Sequence, residues 1–143
     1  MSISAINVAN AFISFTEPEK GDLISNLKVQ KMLYYVQGYH LALYDDRFFN
    51  EEIMAWQYGP VVPDVYHYFK TYGSSALPLP NSFDFDIFDE NKLSLIKEVN
   101  DVYGQYSALK LMDMTHQEAP WKNTPINSII TPELLKDFFL NYI

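Results

Sequence analysis

The segment over about 25–44 constrains the fold of this chain more than any other. Its apolar residues recur at the spacing of an α-helix. One arc consists of Val29, Met32, Leu33, Val36, Tyr39 and Leu43, and Leu27, Tyr34 and Leu41 lie on the opposite side. A helix that is apolar on nearly all sides belongs in the interior of a protein. We therefore predict a central buried helix over about 25–44, with the other elements packed around it.

The rest of the chain predicts a mainly helical protein. Helical spacing, capping residues and helix-ending Pro and Gly residues indicate five or six helices in all. Besides the central helix, they are expected at about 4–15, 61–70, 91–103, 107–118 and from 131 onwards. Mixed periodicity near 48–58 predicts at most a small β element there. Because no repeat or long linker divides the 143 residues, we predict a single compact domain over 1–143.

Charge and composition narrow the classes of function. The net charge is −8, and Arg47 is the only arginine among ten basic residues. Nucleic-acid binding needs clustered Lys and Arg, so it is disfavoured, whereas a basic protein partner suits an acidic chain. The chain has no Cys, which excludes disulfides and thiolate metal sites. No signal peptide is visible at 1–4 and no apolar run is long enough for a membrane span, so we expect a cytoplasmic protein.

Residues with catalytic or metal-binding chemistry form no recognisable set. His40, His67 and His116 fall on three predicted helices without HExxH spacing, so a zinc site would require folding to bring them together. The chain also lacks nucleophile motifs, a P-loop and GxGxxG. The pair His116 and Glu118 at a helix end leaves a hydrolase or transferase acting on small metabolites as an alternative. We expect no enzyme, no cofactor and no metal ion.

Two blocks concentrate aromatic, amide and lysine side chains, at 27–35 and 55–66. Tyr and Trp are enriched among the residues that dominate protein interfaces. These blocks therefore favour recognition over catalysis, although Trp56 fits core packing equally well. A lysine on the apolar central helix, Lys31, needs an acceptor, and we expect an ion pair with Asp113 or Glu118.

Two further features require an explanation. An interior glycine such as Gly38 costs a helix about 1 kcal/mol relative to alanine, which indicates the close approach of another backbone. The stretch 74–91 is rich in Pro, Asp and Phe. We interpret it as a plain loop, with a partner-binding arm anchored by its Phe residues as the alternative.

Three sequence blocks resemble the signatures of one family in the same order. The block 27–41, LKVQKMLYYVQGYHL, resembles the opening signature of the Panacea domain family, also called SocA-like or GepA-like. The block 55–63, AWQYGPVVP, resembles its second signature, and 115–122, THQEAPWK, is similar to the third. Members of this family occur in bacteria and their phages. Many act as antitoxins that neutralise a toxin encoded beside them, and one branch delivers its toxin to a cytosolic protease.

The resemblance implies an antitoxin that neutralises a cognate protein toxin, encoded by the adjacent gene, through direct protein–protein binding. It implies a cytosolic protease as a second partner at most. The charge and the hydropathy of the chain lead us to expect no nucleic-acid or membrane partner. The motif-derived contact residues are Lys31, Tyr35, Trp56, Tyr58, Tyr66, His116 and Trp121. The alternatives are a protease adaptor that delivers a bound toxin for degradation and a phage accessory protein that binds a host factor.

Overall fold

The computed structural model describes residues 3–143. Met1 and Ser2 lie outside the described residues. They belong to the segment 1–4, in which the sequence analysis found no signal peptide. Helix α2 (Asn26–Tyr44) occupies the centre, and 14 of its 19 residues are buried. The Ser25 hydroxyl caps its start by accepting a hydrogen bond from the Lys28 N–H. The predicted central buried helix is confirmed.

The other helices are arranged around α2. They are α1 (Ala5–Ser14), α3 (Pro63–Tyr68), α4 (Glu90–Tyr103), α5 (Ala108–His116), α6 (Ala119–Lys122) and α7 (Pro132–Phe139). Helices α1, α4, α5 and α7 all contact α2, and the buried apolar residues form one continuous cluster around it. The predicted mainly helical fold is confirmed.

Two helix boundaries differ from the prediction. Helix α4, expected from about 91 with Asn91 as its cap, begins at Glu90 and is capped by Asp89, whose carboxylate accepts the Lys92 N–H at 2.8 Å. Pro120 does not end a helix but lies in the first turn of the short helix α6. The missing N–H of a proline costs little in a first turn. Within residues 3–143 this raises the number of α-helices to seven, one above the predicted range.

The β element is a three-stranded antiparallel sheet. Its strands are β1 (Ile53–Trp56), β2 (Gly59–Val61) and β3 (Ile129–Ile130), in the order β2-β1-β3. Strand β1 lies in the stretch 48–58, where the sequence predicts a small β element, and it pairs with β2 as a hairpin, with Trp56 opposite Gly59. The hairpin itself was not predicted, and Val61 lies in β2 rather than at the start of the helix expected over 61–70. The third strand was not predicted, because two residues are too few to show a periodicity.

The sequence suggested that another backbone approaches Gly38 closely. In the structure the close neighbour is a side chain instead. A Cβ atom placed on Gly38 would overlap the aromatic ring of Phe139 on α7. That ring is buried and packs against Tyr34 and Tyr39 of the central helix, with centroid distances of 5.5 Å and 4.8 Å. The absence of a side chain at position 38 therefore allows α7 to pack closely on α2.

The Phe residues of the stretch 74–91 cover the core. Phe85 begins a short 3-10 turn and stacks on Phe15 after the end of α1, with ring centroids 5.3 Å apart. Phe83 is half-buried and Phe88 is buried. This packing agrees with the interpretation of the stretch as a loop, and it removes the exposed anchors that a partner-binding arm would need.

Candidate functional site

A surface groove of about 780 Å³ brings together three of the seven predicted contact residues. It lies between the β1–β2 hairpin, the first turns of α2 and α5, and the segment that follows α3. Trp56 and Tyr58 line it from the hairpin, and Tyr66 lines it from α3. We call this feature the hairpin groove. Its volume lies in the usual range of ligand-binding clefts.

The rim of the hairpin groove is apolar and exposed. Tyr58, Leu109 and Ile126 are exposed by 58%, 67% and 52% respectively, and all three line the groove. The sequence analysis missed Leu109 and Ile126 as site residues. Leu109 has the spacing of a core position on α5, and only folding shows that this first-turn position faces solvent.

Buried amide side chains hold the floor of the hairpin groove in place. The Gln30 Oε1 accepts the Val62 N–H at 2.9 Å, and the Gln30 Nε2 donates to the Asn26 Oδ1 at 2.9 Å. The Asn26 Nδ2 in turn donates to the Tyr66 carbonyl oxygen at 3.1 Å. Because these bonds join α2 to the start of α3, the groove has a preformed floor.

Lys31 lies beneath the hairpin and is completely buried. Its Nζ donates to the Pro60 carbonyl oxygen at 3.1 Å, so the expected ion pair with Asp113 or Glu118 is not formed. Gly59 permits this contact, because it has a φ of +110° and a Cβ there would lie 2.7 Å from the Lys31 Cε. Burial lowers the pKa of the Lys31 amine to about 7.

Wild type is expected to become more stable between about pH 7 and about pH 9.5, and Lys31→Met is expected to lose this rise. The Lys31 pKa is lowered from 10.5 to about 7 on folding, so the unfolded chain binds more protons in that interval. Stability therefore rises with pH, by an amount on the order of 2 kcal/mol. Urea unfolding of wild type and Lys31→Met across this range measures the difference. Exposed Lys97→Met is the control, and an unchanged slope in Lys31→Met would contradict the assignment.

Glu118 accepts hydrogen bonds from two tyrosines of the central helix. The Tyr34 and Tyr35 hydroxyls donate to its two carboxylate oxygens, each at 2.9 Å. Burial raises the pKa of the Glu118 carboxyl to about 7, while the two hydrogen bonds act in the opposite direction. Tyr35 also stacks on Tyr103, with centroids 3.8 Å apart. Because Tyr35 is completely buried, it has no surface to offer a partner in this conformation.

Trp121 and His116 lie behind the hairpin groove. The Trp121 indole N–H donates to the Trp56 carbonyl oxygen at 2.9 Å, which joins α6 to β1. The His116 ring stacks on Trp121 with centroids 4.1 Å apart. Its Nε2 is buried with no hydrogen-bond partner among residues 3–143. Glu118 is bound by the two tyrosines, so the suggested pair of His116 with Glu118 is not formed.

The predicted contact residues therefore separate by depth. Trp56, Tyr58 and Tyr66 line the hairpin groove, and His116 and Trp121 are half-buried behind it. The remaining two, Lys31 and Tyr35, are completely buried and cannot touch a partner directly in this conformation. Lys31 binds the hairpin from below, whereas Tyr35 binds Glu118 and stacks on Tyr103.

No three His, Cys, Asp or Glu side chains between residues 3 and 143 are placed to hold a metal ion together. Among the helices of that same part, none combines the length and the hydropathy needed to cross a bilayer.

A family model covers the part of the chain that holds most of the site residues. The model described as antitoxin SocA-like, Panacea domain, matches residues 29–122, about two thirds of the 143-residue chain. The match includes the β1–β2 hairpin, all seven predicted contact residues and Glu118. It leaves out α1, the first three residues of α2, β3 and α7. No curated protein and no solved structure matches the chain.

Proposed function

The chain belongs to the SocA-like antitoxin family with its Panacea domain, and we propose that it neutralises a cognate protein toxin in the cytoplasm by binding it directly. The observation that carries this proposal is the hairpin groove with its exposed apolar rim. An exposed cluster of apolar side chains around a preformed concave surface is typical of a protein-binding site. The toxin would be the product of the adjacent gene.

The proposed mechanism is stoichiometric masking without catalysis. The apolar rim would bury against the toxin, and the fixed amide floor would reduce the entropy lost on association. The net charge of −8 supports a toxin with a basic surface, because opposite charge speeds the encounter of two proteins. Masking of this kind requires one antitoxin molecule for each toxin molecule, whereas an enzyme would act in substoichiometric amounts.

Co-expression with the adjacent gene tests the proposal. If that gene alone arrests growth, we expect this protein to restore growth and to co-purify with the gene product in a defined ratio. Titrating the expression of this protein should show that rescue fails below a one-to-one ratio. Rescue far below that ratio, or a harmless neighbour with no co-purification, would contradict the proposal. Toxin levels measured in parallel separate masking, which preserves the toxin, from delivery to a protease.

Alanine at Tyr58 is expected to weaken toxin binding by about tenfold or more, because truncation of a tyrosine that buries its ring against a partner typically costs about 1–2 kcal/mol or more. Tyr58 is 58% exposed and makes no side-chain hydrogen bond within residues 3–143, so the thermal unfolding midpoint should change little. Tyr68→Ala is the matched control, since Tyr68 is equally exposed on α3 and does not line the groove. Equal losses for both variants, measured by calorimetry, would contradict the assignment of the groove.

Trp121 is a poor choice for the same test. Its indole N–H binds the Trp56 carbonyl and its ring covers His116, so Trp121→Ala would disturb the fold as well as the surface. Substitutions on the exposed rim, at Tyr58 and Leu109, separate binding from stability.

A further inference from the structure

The hairpin groove has an unusual charge for this protein. The chain carries 18 acidic and 10 basic residues, yet no acidic side chain lines the groove. Lys70 is the only charged residue in its lining. It is exposed, and it forms no ion pair within residues 3–143. The single formal charge in the groove lining therefore has the sign opposite to the net charge of the protein.

The helices that meet at the groove contribute a potential of the same sign. The first turns of α2 and α5, including Asn26 and Leu109, line the groove. The N-terminal end of a helix carries a partial positive charge. Like Lys70, these helix ends favour a negatively charged group in the groove.

From this combination we propose that the hairpin groove binds a toxin segment in which apolar side chains lie next to a carboxylate that pairs with Lys70. The apolar side chains would cover Tyr58, Leu109 and Ile126, which lie at the mouth of the groove. A small molecule seated on the amide floor would leave these three exposed. A segment of a protein chain is long enough to cover the rim and to reach Lys70. This inference rests on the proposed function, since the toxin supplies the segment.

A random 12-residue peptide library, displayed on phage and selected on the immobilised protein, tests the proposal. Peptides selected on wild type should be enriched in large apolar residues with Asp or Glu nearby. On Lys70→Glu the preference should change from acidic to basic residues. Acidic peptides selected on wild type should bind Lys70→Glu about tenfold more weakly, as expected for reversing one exposed charge pair. The difference should shrink as salt is added.

Lys97→Glu is the matched control, because it makes the same change of charge on the exposed face of α4, away from the groove lining. Its selected peptides should resemble those of wild type. No enrichment, an enrichment without acidic residues, or an equal effect of the two charge reversals would overturn the proposal. A concentration-dependent dimer that Leu109→Glu dissociates would place a second copy of the chain in the groove and overturn it as well.

The outcomes separate this inference from the proposed function. Growth rescue that persists in Lys70→Glu, with a selection unchanged by that variant, would keep the antitoxin function and reject the acidic segment. A harmless adjacent gene together with a selection that Lys70→Glu reverses would reject the antitoxin function and keep the specificity of the groove.

Discussion

Replacing Gly38 by alanine is expected to lower the free energy of unfolding by about 3 kcal/mol, the upper end of the usual cost of overpacking. The added Cβ would overlap the ring of Phe139. That ring cannot move aside easily, because it is buried and packs against Tyr34, Tyr35 and Tyr39. On an exposed helix the same substitution would stabilise by about 1 kcal/mol, so the sign itself reports the contact. Urea unfolding followed by circular dichroism measures the change.

A second substitution tests whether Phe139 is the cause. Phe139→Leu alone should destabilise by about 1–2 kcal/mol, because it leaves a small cavity. Combined with Gly38→Ala it should recover at least about 1 kcal/mol of the expected sum, since residues in contact are not additive. If the two losses simply add, the clash lies elsewhere and the packing of α7 on α2 does not depend on Gly38.

Ionisation of Glu118 is expected to destabilise the protein by about 2–3 kcal/mol as the pH rises from about 5 to about 8. The pKa of the Glu118 carboxyl is raised on folding from 4.5 to about 7. Between these values the folded protein binds the additional proton, so stability is full below pH 4.5 and is lost as the pH rises through about 7. Urea unfolding at a series of pH values measures this slope.

Glu118→Gln is the matched variant for this test. The amide has the same shape and can still bind the Tyr34 and Tyr35 hydroxyls, but it does not ionise. Its stability should therefore be nearly constant over the interval in which wild type declines. Glu118→Ala should instead be less stable at every pH, by about 2–4 kcal/mol, because two buried hydroxyls lose their acceptor. A slope of wild-type size in Glu118→Gln would show that another group titrates.

The two buried ionisable groups act in opposite directions. Glu118 lowers stability as the pH rises towards 7, and Lys31 raises it as the pH increases beyond 7. Together they predict a minimum of stability near neutral pH. Lys31→Met and Glu118→Gln should each remove one side of that minimum, which assigns each slope to its residue.

Three residues of the family match hold the groove in place, of which Lys31 and Gln30 are buried and Trp121 is half-buried. Lys31 binds the Pro60 carbonyl, Gln30 binds the Val62 N–H and Trp121 binds the Trp56 carbonyl. Each of these bonds fastens the β1–β2 hairpin, or the turn that follows it, to a helix. A surface held in this way loses little entropy when a partner binds. These three residues thus shape the groove, whereas Tyr34 and Tyr35 bind Glu118.

Much of the helical fold was predictable because its signals are local. The apolar residues of the central helix recur over five turns, its start near Ser25 was expected, and Thr131 caps α7 as the sequence indicates. The two-residue strand β3 and the short helix α6 were not predictable, because elements of two to four residues depend on their neighbours in space. For the same reason, the partner of Gly38 could not be identified before α7 was placed.

By itself, the sequence determined the family, the buried central helix and the set of residues around which a site could form. It could not separate exposed from buried members of that set, since Lys31 and Tyr58 lie in equally polar and aromatic blocks. Only the tertiary structure decided that Tyr58 faces solvent while Lys31 and Tyr35 lie in the core. Burial depends on which elements pack over a residue, and those elements come from distant parts of the chain. The hairpin groove, with Leu109, Ile126 and Lys70 from three separate elements, exists only once that packing is complete.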